Sequence, residues 1–550
     1  MKIIAALDVN LDTTWLGTAS RAAERVGDDT VLGMTVRRLS QCERLDGVYV
    51  LVSPEQHARA ADLLAGTSAL LRQHEAGAAP YNPLIRVARK WSLDGWRGGV
   101  GGAAGMDECT YPRLLVGLAH QESAGAVLCV PPAAPLFDPK VADAMIDHFL
   151  TTADEMRMTF TLAPPGLAGT LMQTALLHEM AEKNVPPGWT MSYKPDAPSA
   201  DITTRTCCFQ APESLRHASG RMIADTQRSL DRIRRCLADH PDPDAETVGR
   251  WLMADQREHV PELPREVEIE LTTQDQLAST ILRPRGQRVG RRGPIDVERV
   301  RRVAAELAAY DDSLVVLGGF GEPLLHPQFD DILGAVRQAG VFGLALRTNG
   351  IALADETIES LIRHEVDVVS VTLDATSPEV YREVHGADAF DTVVGNINRL
   401  MSARGGQPAT GPSRPAVVAP LVVAEMTKCH ETLGQMEAFF DGWIREVGWA
   451  VLVGYNHYGG RLENRSVVDM TPADRRACLR IRTRCTVTAD ADVLLCDQDF
   501  AAERPAGNLS TAPLRDIWRG SACTVARDAH ARGAYRDVPL CDRCQEWHRP

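Results

Sequence analysis

The N-terminal part of the chain alternates short apolar runs with stretches that are apolar on one side only. The runs "KIIAAL" (2–7), "GVYVLVS" (47–53) and "AGAVLCVPP" (124–132) have the length and composition of buried strands. Between and after them, "MTVRRLSQCERL" (34–45) and "PKVADAMIDHFL" (139–150) have the spacing of amphipathic helices, the second opened by proline. This order predicts a doubly wound α/β domain over residues 1–237.

A second series of strand and helix patterns begins at residue 267, after an acidic, proline-punctuated segment at 238–266 that predicts a linker. Within 267–470, five apolar strands are each followed by an amphipathic helix, and a sixth strand at 449–455 closes the series. This series predicts an open (β/α)6 barrel, with functional residues on the loops that follow the strands. Residues 471–550 change to short strands and turns, which predicts a small separate domain.

Charge and composition exclude several classes of function. The 550 residues carry a net charge of −14, and nucleic-acid binding needs a basic face that such a chain is not expected to have. No apolar run is long enough to span a membrane, and the opening "MKIIAALDVNLDTTWLG" lacks the pattern of a secretory signal. We therefore expect a cytoplasmic protein that binds a small molecule, a partner protein or both, and neither nucleic acid nor a membrane.

Four of the thirteen cysteines are spaced like the ligands of one metal site: Cys478, Cys496, Cys541 and Cys544. The last two form a Cys-x-x-Cys turn, and a predicted hairpin in "CTVTADADVLLC" (485–496) supplies further thiolates. Cys485 enters the same hairpin and is an alternative to Cys478. So small a domain needs a staple in order to fold. Zinc and a [4Fe–4S] cluster both accept four thiolates, so the donor set alone does not choose between them.

The chain resembles radical SAM proteins with a C-terminal SPASM or twitch domain, and most closely the spiro-SPASM type, whose N-terminal domain is cytidylyltransferase-like. The motifs that carry the resemblance are "GGFGEPLLHP" (318–327), "TNG" (348–350), "VSVTLDATSPEVYREVHG" (369–386), "YNHYGGRLENRSVVDMTP" (455–472) and "GNLSTAPLRDIW" (507–518). The resemblance implies a degenerate nucleotidyltransferase-like domain, a radical SAM-type barrel and a Cys-rich metal domain, in that order. It also implies that the C-terminal cysteines hold one [4Fe–4S] cluster.

In this family the loops after the second to fourth strands bind S-adenosylmethionine (SAM). The resemblance therefore implies a candidate SAM site formed by Gly318, Gly319, Gly321, Glu322, Asn349 and Asp374. A carboxylate suits the ammonium group of SAM, and glycines allow the backbone to approach it closely. The alternative interpretation is that "GGFGEP" is a strand-to-helix turn whose glycines serve only its backbone angles. The sequence assigns no catalytic residue.

The first loop of the predicted barrel departs from the family. Radical SAM proteins carry Cys-x-x-x-Cys-x-x-Cys there, and these three thiolates hold the cluster that cleaves SAM. Asp275, Ser279 and Leu282 occupy those positions here. Carboxylate, hydroxyl and isobutyl groups are a poor ligand set for iron in a cluster, so we expect no radical-SAM cluster and no reductive cleavage of SAM.

The N-terminal domain departs in a similar way. It resembles sugar cytidylyltransferases at "VPPAAPLFDPKVADAMIDHF" (130–149), but Ala133 occupies the position of the Mg²⁺-binding aspartate. The loop after the first strand, "DVNLDTTWLG" (8–17), is acidic where a triphosphate needs positive charge.

Two centres that have both lost their ligands predict a pseudoenzyme, a partner or scaffold protein that retains its C-terminal cluster, in natural-product biosynthesis. A non-radical SAM-dependent transferase and an enzyme that re-uses the barrel for other chemistry are the alternatives.

Overall fold

The computed structural model describes residues 1–77, 79, 81–152, 156–405, 419–448 and 450–549. These residues form two compact units, and the chain passes from the first to the second between Asp255 and Gln256. The segment 238–266, interpreted from the sequence as a linker, contains a helix over Ala245–Glu258. Buried residues of this helix belong to the hydrophobic core of the first unit.

The strands of the first unit are β1 (Ile3–Asp8), β2 (Arg25–Val26), β3 (Asp29–Thr30), β4 (Gly47–Val52), β5 (Leu70–Gln73), β6 (Ala126–Cys129), β7 (Met158–Thr161), β8 (Thr170–Gln173) and β9 (Cys208–Phe209). The main sheet of the described residues has the order β5-β4-β1-β6-β8-β7-β9. Its strands are parallel except for β8, which runs antiparallel to β6 and β7. Strands β2 and β3 form a separate small hairpin.

The α-helices of this unit are α1 (Val31–Leu39), α2 (His57–Leu63), α3 (Asn82–Arg89), α4 (Pro112–Gln121), α5 (Pro139–Thr152), α6 (Thr174–Lys183), α7 (Pro187–Met191), α8 (Glu213–Arg216), α9 (Gln227–Asp239) and α10 (Ala245–Glu258). Alternate residues of β1 enter two different cores: Ile3, Ala5 and Leu7 one of them, Ile4 and Ala6 the other. Because both faces of the sheet are buried, the predicted doubly wound arrangement is confirmed.

The predicted helix at 34–45 is observed as α1, over Val31–Leu39. It begins earlier because the Thr30 side chain accepts a hydrogen bond from the Gly33 amide and caps the helix. It ends earlier because the chain turns after Ser40, whose hydroxyl donates to the Val36 carbonyl.

The strands of the second unit are β10 (Glu266–Glu270), β11 (Leu314–Gly318), β12 (Gly343–Thr348), β13 (Val368–Thr372), β14 (Leu421–Lys428), β15 (Ala450–Gly454), β16 (Arg484–Val487), β17 (Asp492–Leu494) and β18 (Gly507–Asn508). Strands β10 to β15 are parallel neighbours in chain order. This arrangement confirms the open (β/α)6 fold. The predicted hairpin also forms, as the antiparallel pair β16 and β17, and β16 continues the sheet by pairing parallel with β10.

The α-helices of the second unit are α11 (Val297–Leu307), α12 (Phe329–Gln338), α13 (Asp355–Arg363), α14 (Pro378–His385), α15 (Phe390–Ala403), α16 (Met436–Val447), α17 (Arg480–Thr483), α18 (Leu514–Arg519) and α19 (Ser521–Ala531). One hydrophobic core joins the barrel strands, their helices and the C-terminal residues Val487, Val493 and Trp518. Among the residues described, no helix combines the length and apolar character needed to cross a membrane.

Candidate functional site

The first loop of the barrel follows β10, and its polar residue Asp275 is hydrogen-bonded to other groups of the protein. The Asp275 carboxylate accepts hydrogen bonds from Arg285 Nε at 2.7 Å, from the Leu277 amide at 2.7 Å and from Asn349 Nδ2 at 3.0 Å. Its side chain is only 3% exposed. Asp275 is therefore held by an arginine of its own loop and by the third-strand asparagine.

The other two positions of the expected cysteine motif differ from Asp275 and from each other. Ser279 is exposed to solvent. Leu282 is buried in a small apolar cluster with Val384, Cys429 and Tyr455. The three side chains therefore have three different environments, and none of them is a thiolate.

An arginine of the first loop reaches the end of the fourth strand. Arg283 forms an ion pair with Asp374, and His385 Nε2 lies 3.4 Å from the same carboxylate. Asp374 also accepts a hydrogen bond from the Thr427 amide at 2.6 Å. Although burial opposes the charge, Arg283 and His385 hold the pKa of Asp374 at about 2.

The remaining SAM-site candidates also contact one another. Glu322 is buried, and its carboxylate accepts hydrogen bonds from Thr348 Oγ1 and the Asn349 amide, both at 2.7 Å, and from the Leu324 amide at 3.1 Å. With Asp275 and the loop arginines, these groups line a cavity of about 370 Å³, its open mouth included. Glu322 and Asn349 thus line one cavity. Asp374 is not among its lining residues and is paired with Arg283, which does line it. A SAM site formed by these residues stays a prediction.

The glycines of "GGFGEP" are required by the packing of two loops. A Cβ at Gly319, whose φ is +82°, would lie 2.6 Å from Glu270 Cβ, and one at Gly321 would lie 2.1 Å from the Thr272 carbonyl oxygen. A Cβ at Gly318 would lie 2.9 Å from a carboxylate oxygen of Glu268. The close approach of the second loop to the first strand therefore accounts for these glycines without a ligand.

Glu270 is an organising residue that the sequence analysis did not identify. Its fully buried carboxylate accepts two hydrogen bonds from Arg292, at 2.7 and 2.9 Å. It also accepts from the Ala489 amide at 3.0 Å and from the Phe320 amide at 3.3 Å. One carboxylate thus joins the first loop, the "GGFGEP" turn and the C-terminal hairpin.

A row of polar groups lies on one face of the barrel sheet. Strand register places Arg347 opposite Ser370, and two-residue steps along neighbouring strands add Glu268 and Glu425 to the same face. Arg347 Nη1 lies 3.3 Å from Glu268 Oε1, yet 53% of its side chain is exposed. The Ser370 hydroxyl is buried and has no hydrogen-bond partner among the described residues. This face borders a cavity of about 440 Å³.

Glu322 gives the stability of the protein a measurable pH dependence. Burial raises the pKa of Glu322 to about 7, whereas an unfolded glutamate has a pKa of about 4.3. Between these values the folded state binds a proton that the unfolded state has lost, so the free energy of unfolding falls as the pH rises. We expect Glu322→Gln to remove a decrease on the order of 1–3 kcal/mol between about pH 5 and pH 8, measured by urea unfolding.

The matched control for this prediction is Glu298→Gln, because Glu298 is an exposed residue of α11 that pairs with Arg301. It should retain the wild-type pH dependence. Asp107, whose pKa burial also raises to about 7, contributes equally to all three proteins. Identical slopes in wild type and Glu322→Gln would contradict the assignment.

The four predicted cysteine ligands line one cavity in the C-terminal domain, together with apolar residues that include Ile481, Leu495 and Trp547. The cavity encloses about 500 Å³, its open mouth included. A turn presents the last two cysteines, with the Cys544 amide donating to the Cys541 carbonyl at 3.3 Å. Burial raises the pKa of the Cys541 thiol to about 12 and that of Cys544 to about 11. Proximity to Cys478 contributes to both shifts.

Cys485, the alternative ligand, does not line this cavity, although it shares the neighbouring cavity with Cys496. It is buried within β16, where it pairs with Val267 of β10, and it borders the cavity of Arg347. Cys478 lies in the same cavity as the other three cysteines.

The described part of the chain contains no group of three or more His, Cys, Asp or Glu side chains placed to hold a single metal ion. A mononuclear zinc site brings its ligands to within about 2.0–2.3 Å of one centre. The four cysteines therefore share a cavity without converging on one point.

Ala133 and Asp138 of the first unit have structural roles. Ala133 is buried in a hydrophobic cluster. Asp138 accepts hydrogen bonds from the Lys140 and Val141 amides at the start of α5, and from the Ala245 amide. These contacts are those of a helix cap. Cys207 and Cys208 are buried in a core of this unit.

Several contributors to the two sites were missed from the sequence. Arg283 and Arg285 closely follow Leu282, the expected third cysteine position. Their positive charge was a signal that they could pair with carboxylates of the site. The alternation of glutamates with Val267 and Ile269 in β10 was a second signal, since it gives the strand one acidic face. His530 had no local signal, because it meets the cysteine cavity only through the fold.

Two family profiles match the second unit. Residues 278–406 match the Radical SAM superfamily, and residues 478–545 match SPASM, an iron–sulfur cluster-binding domain. Both matches lie within the barrel and the C-terminal domain predicted from the motifs, and they confirm the resemblance to radical SAM and SPASM proteins.

Individual relatives share low sequence identity with this chain or match only a part of it. An uncharacterised protein of Treponema pallidum is 24% identical over 369 residues, which are 65% of this chain and 96% of the relative. A tungsten-containing aldehyde ferredoxin oxidoreductase cofactor-modifying protein of Pyrococcus furiosus is 31% identical, over 15% of this chain and only 23% of its own length.

One solved structure concerns the first unit. A cytidylyltransferase from Leptospira borgpetersenii shares 15% identity and a TM-score of 0.30, over 46% of this chain and 93% of that one. So low a score does not identify the first unit, and its nucleotidyltransferase-like character stays a prediction.

Proposed function

We propose that this chain is a non-radical iron–sulfur protein. It contains a radical SAM domain and a SPASM domain. In this proposal the barrel has lost the cluster that cleaves SAM and serves as a partner or scaffold protein, in natural-product biosynthesis. Cys478, Cys496, Cys541 and Cys544 hold one [4Fe–4S] cluster in the C-terminal domain.

The proposal rests on the environments of the three residues that occupy the expected cysteine positions. Asp275 is paired with Arg285, Ser279 is exposed and Leu282 is packed among apolar side chains. Soft iron prefers thiolates, which these positions lack. Cys429 lies in the same apolar cluster as Leu282, and one thiol does not replace three. The residues present therefore do not fit the SAM-cleaving cluster.

The C-terminal cavity does fit a cluster. It offers four thiols within one partly apolar cavity, and four thiolates are the usual ligand set of a cubane cluster. A cluster held by four protein thiolates supplies electron transfer or structural support. Its binding requires loss of the thiol protons, so it is coupled to folding of the domain.

A second candidate function is supported by the polar face of the barrel. Arg347 is half exposed beside Glu268, and the Ser370 hydroxyl lacks a partner within the described residues. The hydroxyl is costly to keep unpaired in an interior that binds nothing, and the guanidinium is open to a ligand. They favour an enzyme that re-uses the barrel for other chemistry, with a non-radical SAM-dependent transferase as one form of it.

One experiment separates these functions. The protein is purified without oxygen, its iron and acid-labile sulfide are counted, and SAM is titrated by calorimetry. We expect about four irons and four sulfides per chain, and no heat at millimolar SAM, which corresponds to an affinity weaker than about −4 kcal/mol. The physical reason for the second expectation is that Arg283 already pairs with the Asp374 carboxylate, which the resemblance assigned to SAM.

Each alternative result has a definite meaning. About eight irons per chain, or cleavage of SAM after reduction, would contradict the loss of the radical-SAM cluster. Zinc without iron would contradict the C-terminal cluster. Tight binding of SAM without its reductive cleavage would favour the transferase over the scaffold.

A further inference from the structure

His530 is a buried histidine in the cavity of the four cysteines. It is 1% exposed and lines that cavity. Its Nδ1 accepts a hydrogen bond from the backbone amide of Cys478 at 3.1 Å. Its Nε2 is buried and has no hydrogen-bond partner among the described residues. One ring nitrogen is therefore fixed by a proposed cluster ligand, and the other has no protein partner.

The contact at Nδ1 determines the tautomer of the ring. A backbone N–H can only donate, so Nδ1 presents its lone pair and the proton of the neutral imidazole is on Nε2. A buried N–H without an acceptor is rare in native proteins, and it indicates an acceptor that is not part of the protein chain. The cavity that His530 shares with the four cysteines is where such an acceptor would be.

We infer that the Nε2–H group of His530 donates a hydrogen bond to a sulfur of the C-terminal cluster or of a ligating cysteine. This inference rests on the proposed function, which puts a cluster in the cavity. Ligation of iron by His530 is disfavoured, because an imidazole that binds metal through Nε2 carries its proton on Nδ1. The Cys478 amide already occupies that side of the ring.

The surroundings of His530 keep the ring in this orientation. Tyr535 packs edge-on at 5.0 Å between ring centroids, and the Arg475 guanidinium lies 4.8 Å from the Tyr535 ring. A hydrogen bond to a cluster sulfur stabilises the reduced, more negative cluster and so raises its reduction potential. His530 is thus a positioning residue that tunes the cluster and holds the Cys478 backbone.

Two variants separate the roles of the two nitrogens. His530→Asn retains a polar group near Nδ1 and removes the donor at Nε2, whereas His530→Gln retains an amide donor near Nε2. With about four irons per chain in all three proteins, we expect a more negative midpoint potential in His530→Asn and a potential close to the wild-type value in His530→Gln. Electron paramagnetic resonance of the poised samples measures both.

The wild-type protein provides a measurement that needs no variant. In the reduced holoprotein labelled with ¹⁵N-histidine, pulsed electron paramagnetic resonance should detect a weak nitrogen coupling, as expected for a hydrogen-bonded ring. A strong coupling would indicate direct ligation, and no coupling would exclude the contact; either result overturns the inference. An unchanged potential in fully loaded His530→Asn would also overturn it. A wild-type protein without iron would instead contradict the proposed function.

Discussion

Replacing Cys478 with serine should lower the iron content from about four per chain to below about one. The proposed [4Fe–4S] cluster needs all four thiolates, and a hydroxyl is a poor substitute for a thiolate toward iron. The same loss is expected for Cys541→Ser and Cys544→Ser, because all these cysteines line one cavity. Because cluster binding is coupled to folding, the thermal transition of the second unit should also move to a lower temperature. Iron and sulfide analysis with calorimetric melting measures both effects.

Cys485→Ala is the matched control for these variants. Cys485 is also a buried cysteine of the C-terminal domain, but it borders the neighbouring cavity. It should retain the wild-type iron content even if packing in the sheet is weakened. Full loading of Cys478→Ser together with loss of iron from Cys485→Ala would show that Cys485 is the ligand.

Glu270→Gln should lower the free energy of unfolding of the second unit by about 3–5 kcal/mol. The substitution leaves the buried Arg292 guanidinium without its bidentate carboxylate partner. It also weakens the acceptor for the Phe320 and Ala489 amides. Urea unfolding followed by circular dichroism measures the loss, and the iron content should fall if the hairpin is displaced.

Glu298→Gln is again a suitable control, since its ion pair with Arg301 is on the surface and such pairs contribute about 0–1 kcal/mol. Equal stability of the Glu270 and Glu298 variants would contradict the central role of Glu270. The double variant Glu270→Gln with Arg292→Met tests the mechanism. Because it removes both buried charges, it should recover part of the lost stability.

The elements that the sequence predicted well are those with strong local patterns. The parallel strands of the barrel are short apolar runs followed by amphipathic helices, and the turn "ADAD" between two apolar runs identified the hairpin of β16 and β17. Boundaries were less predictable. The caps of α1 at Thr30 and Ser40 depend on single side chains, and the helix at Ala245–Glu258 is stabilised by packing in the first unit.

In the candidate site, likewise, the motif residues were predictable and their tertiary partners were not. Motif positions pointed to Glu322, Asn349 and Asp374, of which Glu322 and Asn349 line one cavity. Their partners could not be predicted, because Arg283 and Asp374 are 91 residues apart in the chain. The contact between His530 and Cys478 spans 52 residues. Such contacts depend on tertiary packing, on which local sequence gives no information.

The pairing of β16 with β10 makes the C-terminal domain part of the barrel sheet. Excising that domain would expose the unpaired amides and carbonyls along one border of β10, which is the kind of surface that drives aggregation between molecules. The C-terminal domain is therefore not a module that can be detached without opening an edge of the barrel sheet.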